Sequence, residues 1–188
     1  RFYKELITDF QNDPLSSEAD RIILLGTPDA RKGLLSVMPK HLADRVVAHL
    51  PAPADDSKTA ASWYPLLEQA IKEAEDAGEE ELLAKIRERG SVGMSEVLNL
   101  MNSGQIHVLA LPFTTEHNVW ISSETRTVGA SEGALKTQRP SEDYEEVRLT
   151  DVLSELVAKH NFKVEFMDDE QADKLVSDFA GIAALRRW

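Results

Sequence analysis

The sequence predicts an α/β protein of two domains, and three observations support this prediction. Short apolar runs that end at a glycine or a proline alternate with segments whose apolar residues recur at helical spacing. The length of 188 residues exceeds that of a typical single domain. Hydrophobic residues make up 42% of the chain, which is enough for packed cores. We predict one α/β domain over residues 1–89 and a three-layer α/β/α domain over residues 90–188.

The first predicted domain opens with a helix and continues with a strand, a turn and a second helix. The apolar face of the opening helix is formed by Phe2, Leu6, Ile7 and Phe10. The run RIILLG, which ends at Gly26, predicts a buried strand. Thr27 suits the N-cap of the next helix, and Pro28 suits its first position, where the missing N–H is not needed. A further strand is predicted over Val46–Leu50.

The longest helical pattern follows a predicted linker that Pro51 and Pro53 open. The members of its apolar stripe are Trp63, Leu66, Leu67, Ala70, Ile71, Ala74, Leu82, Leu83 and Ile86. The acidic run from Asp76 to Glu81 interrupts this stripe. We interpret the run as a solvated helix face or as a local break at Gly78, with a docking patch as the alternative.

The second predicted domain starts near Gly90 with a helix and a strand. The inner face of this helix consists of Met94, Val97, Leu98 and Met101. Gly104 is placed to end the helix, and the buried strand IHVLALPF follows it. Residues 114–147 are polar, and only NVWISS indicates a strand there. We therefore predict a long polar loop over residues 114–147, which is unusual in a compact domain unless it is functional or mobile.

The remainder of the second domain is predicted as helix, strand, helix and strand. Thr150 is the expected cap of the first of these helices, and FKVEFM the next strand, with Phe162, Val164 and Phe166 on its inner face. Asp168 and Gln171 have capping-box spacing before the last helix. The chain should then run back, after a turn at a glycine, as a final strand beside the strand IHVLALPF.

Composition excludes several classes of protein. No apolar run approaches the roughly 18 to 20 residues that cross a bilayer, and the N-terminus has no signal-peptide core. The absence of cysteine excludes disulfides, thiolate nucleophiles and cysteine zinc sites, and it fits a reducing cytoplasm. A net charge of −12 disfavours general binding to nucleic acid, because that binding depends on cationic side chains.

Side chains that could carry chemistry show no arrangement that predicts a catalytic, cofactor or metal site. The histidines lack metal-ligand spacing; they are His41, His49, His107, His117 and His160. The turn LLGTPDARKG lacks a glycine-rich phosphate fingerprint, and no serine lies in a nucleophile elbow. We interpret Asp168, Asp169 and Glu170 as helix-dipole partners.

The closing residues have two interpretations. Arg186, Arg187 and Trp188 either end an edge strand with a partly buried tryptophan, which is the interpretation we favour, or contact RNA by charge and stacking.

Several stretches resemble the archaeo-eukaryotic class I release factor and Pelota family. SVGMSEVLNLMNSGQIHVLAL and KVEFMDD are similar to parts of its C-terminal domain, which closes on a glycine, an isoleucine, two small residues, a leucine, an arginine and an aromatic residue. The matching residues here are Gly181, Ile182, Ala183, Ala184, Leu185, Arg186 and, displaced by Arg187, Trp188. RFYKELI, RIILLGTPDARKGLL and VMPKHLADRVVAHL resemble the family's central domain after its catalytic loop, with the spacing of bacterial members.

The resemblance implies a fold and a function. It implies a ribonuclease H-like central-domain fragment over residues 1–89, and over residues 90–188 a C-terminal domain similar to kink-turn-binding ribosomal proteins. It implies a cytoplasmic protein that binds the ribosome and hydrolyses peptidyl-tRNA in termination or ribosome rescue, with no DNA or membrane partner.

Two departures from the family pattern bear on that implied activity. The family's Gly-Gly-Gln loop does not occur, since SGQ at residues 103–105 lies between a helix and a strand; the loop is expected to precede Arg1, and this part alone is expected not to be catalytic. The cysteine-rich zinc knuckle that many relatives place in the insert has no counterpart in residues 114–147.

Two further functions compete with peptidyl-tRNA hydrolysis. A non-catalytic adaptor would bind another protein through the second domain and its insert. An RNA-binding module would follow from the likeness to kink-turn-binding proteins, but the net charge of −12 and the lack of a basic cluster count against it.

Overall fold

The structure is a computed structural model that describes residues 1–17, 19–51 and 63–188. The predicted linker after Pro51 lies outside these residues. Packing divides the chain into two units, Arg1–Ala77 and Gly78–Trp188. This division falls earlier than the boundary predicted at residue 90, and the assignment of the two parts as release-factor domains stays a prediction. No helix among the described residues is long and apolar enough to cross a membrane.

The first unit contains a two-stranded parallel sheet with helices. Its elements are α1 (Phe2–Asn12), α2 (Pro14–Ser17), β1 (Ile22–Leu25), α3 (Pro28–Leu35), α4 (Lys40–Ala43), β2 (Val46–Leu50) and the first part of α5 (Tyr64–Arg89). The strands pair in parallel, with Ile22 opposite Val46 and Leu25 opposite Leu50. The side chain of Thr27 accepts a hydrogen bond from the Ala30 backbone N–H at 3.3 Å, which confirms the predicted cap.

The second unit contains the rest of α5, which continues through Gly78 without the local break that was one of our interpretations. The elements after α5 are β3 (Gly90–Val92), α6 (Met94–Asn102), β4 (Ile106–Pro112), β5 (Asn118–Ser122), β6 (Val128–Gly129), α7 (Glu132–Gln138), β7 (Tyr144–Arg148), α8 (Leu149–His160), β8 (Lys163–Met167), α9 (Asp169–Phe179) and β9 (Ala183–Arg186).

A four-stranded sheet in the order β3-β9-β4-β8 organises the second unit. The closing strand β9 runs antiparallel to β4, with Leu109 opposite Ala184 and Ala110 opposite Ala183, so the predicted place of the tail is confirmed. The expectation of an edge strand was wrong, because β9 also pairs with β3. β3 is only three residues long, and its short run GSV gave no strand signal in the sequence.

Helices cover both faces of this sheet, which confirms the predicted three layers. On one face, Leu109, Leu111 and Ile182 pack with buried residues of α6 and α8. On the other face, Ala110 and Ala183 pack with the end of α5 and with α9. Burial of these apolar residues on both faces is the main stabilising contribution to the unit.

The insert over residues 114–147 is folded, which corrects the prediction of a long polar loop. β5 pairs with both β6 and β7 in a three-stranded antiparallel sheet, and α7 connects β6 to β7. Val119, Ile121 and Val128 are fully buried in the same core as α6 and α8. The sequence hid this sheet because β6 has two residues and β7, YEEVR, is mostly polar.

Two predicted helix caps are absent. Helix α8 begins at Leu149 and not after Thr150, with Arg148 in the N-cap position. Asp168 does occupy the N-cap position of α9, but its side chain makes no capping hydrogen bond. Helix α8 begins two residues earlier than predicted, because the Leu149 side chain is fully buried in the core, where packing outweighs the capping preference of a hydroxyl.

Candidate functional site

The closing strand is tied to its neighbours by the side chain of Arg186. The guanidinium donates hydrogen bonds to Ser91 Oγ at 2.9 Å and 2.6 Å and to Glu96 Oε1 at 2.7 Å. Ser91 Oγ in turn donates to Glu96 Oε1 at 2.7 Å. Since Ser91 lies in β3 and Glu96 in the first turn of α6, Arg186 joins three elements of the second unit.

Arg187 anchors the chain after β9 through main-chain carbonyl groups. Its Nε donates to the Ile106 carbonyl at 2.8 Å, and its Nη2 donates to the carbonyls of His160, at 2.7 Å, and Asn161. These two acceptors lie at the C-terminal end of α8, where helix carbonyls lack intrahelical partners. The planar guanidinium can satisfy several of these acceptors at once.

Trp188 contradicts the expectation of a partly buried tryptophan, because its side chain is 83% exposed. Both arginines beside it hydrogen-bond protein atoms, as described above. Of the three closing residues, Trp188 is therefore the one whose side chain is free to stack on RNA. The two arginines stabilise the fold instead.

The small residues of the closing motif allow close packing. Gly181 has φ +74°, a left-handed conformation that glycine adopts without strain, and follows Ala180 at the end of α9. The His117 ring lies against it, with Nε2 2.9 Å from the Gly181 carbonyl oxygen. The His117 carbonyl also accepts a hydrogen bond from the Leu149 N–H at 2.8 Å. His117 thereby connects the start of the insert to the closing motif and to α8.

A polar network holds the insert in place. The hydroxyl groups of Ser122 and Thr125 donate hydrogen bonds to the Glu142 carboxylate. These bonds lower the pKa of Glu142, and the bond from Ser122 is the largest cause. Arg126 makes two 2.8 Å hydrogen bonds to the Glu155 carboxylate on α8. The bond to Glu155 is also the main reason why the pKa of Arg126 is raised.

An exposed aromatic pair lies where the parallel strands β4 and β8 end. The ring centroids of Phe113 and Phe166 are 6.4 Å apart at an interplanar angle of 81°, an edge-to-face arrangement. Phe113 is 73% exposed and Phe166 41% exposed. A cavity of about 360 Å³ beside Phe113 is lined by Asp168, Asp169 and Asp173 of the α9 region. Apolar rings next to carboxylates at the carboxyl edge of a sheet form a surface that can bind a ligand.

Comparisons with known proteins bear on the identity of the chain. Residues 1–75 match the family model described as bacterial archaeo-eukaryotic release factor family 10. The solved structure of S. cerevisiae Dom34, a translation termination-like factor, aligns over 100% of this chain and 51% of its own, with 17% identity and a TM-score of 0.57.

Over residues 1–75 the chain is similar to this release-factor family, and over its whole length it shares the fold of Dom34.

Archaeal Pelota, in a model of ribosome-bound Pelota and ABCE1, also aligns with this chain. The alignment covers 100% of this chain and 48% of Pelota, with 16% identity and a TM-score of 0.56. The C-terminal domain of a peptide chain release factor from Methanosarcina mazei aligns over 72% of this chain and 98% of its own, with 17% identity and a TM-score of 0.48. This chain spans about half the length of Dom34 and Pelota. A search of curated protein sequences found no match.

The histidines of the chain are scattered. His41, His49 and His107 are exposed, whereas His117 and His160 are half-buried. The described residues contain no group of three side chains that could hold a metal ion. Burial, followed by the charges of Lys159 and Arg187, lowers the pKa of the His160 imidazole.

The predicted acidic features have different environments. Glu170, in the first turn of α9, pairs with Lys174 at 2.8 Å, and this pair lowers the pKa of Glu170. The run from Asp76 to Glu81 is not a uniformly solvated face, because Glu79 is only 6% exposed. Its position in α5, four residues before the buried Leu83, explains this burial.

Sequence reasoning missed the aromatic pair. Strand alternation placed Phe166 on the inner face with Phe162 and Val164, but β8 lies at the edge of the sheet, and its end is left uncovered. Phe113 follows Pro112, the last residue of β4. An apolar residue directly after a strand-ending proline is the sequence signal that could have identified it.

Proposed function

We propose that the chain acts in a ribosome-associated translation factor that hydrolyses peptidyl-tRNA in termination or ribosome rescue. The observation that carries the proposal is the match of the whole chain to the Dom34 and Pelota structures, joined by the release-factor family match over residues 1–75. Dom34 is described as a translation termination-like factor, and Pelota as ribosome-bound. We extend these descriptions to this chain, with a cytoplasmic location.

The chemistry proposed for the factor is positioning of a water molecule beside the peptidyl-tRNA ester. Orientation of the reactants and preorganised dipoles supply most of the rate enhancement in such a reaction. The 188 residues contain no Gly-Gly-Gln sequence, so the proposed role of these residues is to present a rigid scaffold and to contact partners. The ties made by Arg186 and Arg187 suit that role, because they fix the closing strand to its neighbouring strands β3 and β4 and to the helical layer of α6 and α8.

A second candidate function is a non-catalytic adaptor of the same fold. The exposed pair Phe113 and Phe166 favours it, because a solvent-exposed aromatic pair beside carboxylates is suited to protein contacts. The RNA-binding candidate receives less support, since both closing arginines bind protein groups.

Peptide release tests the proposed function. Ribosomes stalled with a labelled nascent peptide are mixed with the full-length protein that carries this chain, and the released peptide is counted over time. Release that stops when the glutamine of a glycine-glutamine loop is replaced supports the hydrolase. Ribosome binding in a sucrose gradient without release contradicts the hydrolase and leaves the adaptor as the supported function, and failure to cosediment with ribosomes contradicts the proposed ribosomal role.

A further inference from the structure

The corner of the fold where β4 and β8 end has three features that point to one kind of ligand. We name it the acidic aromatic corner and define it by Phe113, Phe166, Asp168, Asp169, Asp173 and the strand β8. All of these residues lie in the second unit. The register of the two parallel strands brings Leu111 opposite Phe166 and Pro112 opposite Met167, and the Phe113 N–H donates to the Met167 carbonyl at 2.7 Å. The corner is thus held by main-chain hydrogen bonds and does not depend on a loose loop.

The first feature is exposed apolar surface. Phe113 is 73% exposed and Phe166 41% exposed, so both rings present apolar surface to solvent. Aromatic side chains are enriched in the cores of protein interfaces. Ala172, which is half-buried, lines the neighbouring cavity and adds apolar surface to it.

The second feature is charge. Asp168, Asp169 and Asp173 line the cavity beside Phe113, and each is exposed. Lys174 lies next along α9, but it pairs with Glu170 at 2.8 Å. The chain as a whole carries a net charge of −12. A cationic ligand is therefore attracted, a phosphate backbone is repelled, and the ring faces can hold an ammonium or guanidinium group.

The third feature is an open strand edge. β8 is the last strand of the order β3-β9-β4-β8, and within the described residues no strand pairs with its outer side. An exposed edge presents backbone N–H and C=O groups that can accept another strand. Addition of an extended segment to such an edge is a common mode of peptide recognition.

We propose that the acidic aromatic corner binds an extended, basic segment of a partner protein, which adds as a strand to the outer edge of β8. The main chain of the segment pairs with Lys163–Met167. Its apolar residues contact the rings of Phe113 and Phe166, and its arginine or lysine side chains meet the three aspartates. This inference is independent of ribosome binding and of peptidyl-tRNA hydrolysis.

Fluorescence anisotropy with designed peptides tests the proposal on the 188-residue chain. The probe is a labelled peptide of four valine-arginine repeats, which is extended and basic. We expect a dissociation constant on the order of tens of micromolar at low salt. A valine-glutamate peptide should not bind, because its charge is reversed. A proline-arginine peptide should not bind either, because it keeps the charge but lacks the N–H groups for strand pairing.

Single substitutions test whether the peptide binds at the acidic aromatic corner. Asp173→Lys should weaken binding about fivefold to tenfold, and Phe113→Ser by about tenfold. Glu146→Lys makes the same charge change on the exposed surface of β7, and we expect it to change binding less than about twofold. Circular dichroism confirms that each variant is folded. In hydrogen exchange, the bound peptide should protect amides of Lys163–Met167.

Several results would overturn the proposal. Equal binding of the proline-arginine peptide would exclude strand addition. If Asp173→Lys and Glu146→Lys weakened binding equally, the peptide would be attracted by the overall charge of the protein and not by the acidic aromatic corner. Failure of the valine-arginine peptide to bind, or tight binding of a structured RNA in its place, would exclude a basic protein segment as the ligand of this corner.

Discussion

At the scale of single residues, the two closing arginines differ in what they bind. Arg186 binds side chains, the hydroxyl of Ser91 and the carboxylate of Glu96. Arg187 binds only main-chain carbonyls, two of them at the end of α8. Both cations hold the C-terminal strand in place, whereas their neighbour Trp188 is exposed and makes little contribution to packing.

Replacing Arg187 by alanine should lower the free energy of unfolding by about 2 kcal/mol, because hydrogen bonds from a charged donor to three carbonyls are lost. Arg187→Lys should recover only part of this stability, since an ammonium group cannot reach the three acceptors in one plane. Urea unfolding measures both. Trp188→Ala is the control and should change the stability by less than about 0.5 kcal/mol. An equal effect of the alanine variants at 187 and 188 would contradict the anchoring role.

His160 should make the protein less stable as the pH falls below about 6.5, the usual pKa of histidine. Its pKa is lowered in the folded state, so the unfolded state binds the proton more readily and gains population on acidification. The contribution is therefore present above the unfolded pKa and is lost as the pH falls through the folded pKa. His160→Gln should unfold with a smaller difference in stability between pH 7.5 and pH 5.5 than the original protein. The other histidines are present in both proteins, so their contributions cancel when the two stability differences are compared. An unchanged difference would contradict the lowered pKa.

At the scale of elements, the insert is the main finding. Its sheet β6-β5-β7 packs with α6 and α8 through Val119, Ile121 and Val128, and its edge is tied by Asn102, whose side chain bonds both the N–H and the carbonyl of Val128. A segment with buried residues and satisfied main-chain groups is part of the domain core and is not a mobile loop.

Ile121→Ala tests whether the insert belongs to the core. We expect a loss of about 2–5 kcal/mol in the free energy of unfolding, because a fully buried side chain is removed and a cavity remains. Glu146→Ala, on the exposed face of β7, should change the stability by less than about 0.5 kcal/mol. Chemical denaturation followed by circular dichroism measures both variants. A negligible effect of Ile121→Ala would show that the insert is not packed.

Helix α5 offers a stabilising substitution. Gly78 lies in its interior, and a Cβ built there meets nothing within 4 Å. Gly78→Ala should raise the stability by about 0.5–1 kcal/mol through helix propensity. Gly90→Ala should have the opposite sign, since its Cβ would lie 2.6 Å from the Ile86 carbonyl oxygen and 2.7 Å from that of Ala184. Thermal unfolding measures both, and a destabilised Gly78→Ala would contradict the continuous helix.

At the scale of the whole molecule, the two units have separate cores. All members of the two clusters around the four-stranded sheet lie in residues 78–188, and the third cluster lies in residues 1–77. A unit with a complete core of its own is expected to fold independently.

Residues 78–188 expressed alone should unfold cooperatively, because they contain the sheet and both of its helical layers. Far-UV circular dichroism during thermal unfolding measures this. The midpoint should lie within about 5 °C of the higher transition of the full chain. A gradual, non-cooperative transition would contradict an independent core.

The spacing of apolar residues predicted helices and strands best where one face of the element is buried in a single core. Helix α6 was predicted from Met94, Val97, Leu98 and Met101, and three of these are fully buried. The same reasoning failed for β8, where Phe166 continues the alternation but lies at an open edge. It also missed β3 and β6, whose two or three residues are too short to show a period.

The sequence by itself determined the α/β class, the order of the main helices and strands and the cap at Thr27. These follow from local patterns of apolar and capping residues. Only the tertiary structure decided that β9 is an interior strand, that the polar insert is a packed sheet and that Phe113 and Phe166 meet beside three aspartates. Those facts depend on contacts between residues far apart in the chain, and no local pattern specifies which distant strand supplies the neighbour.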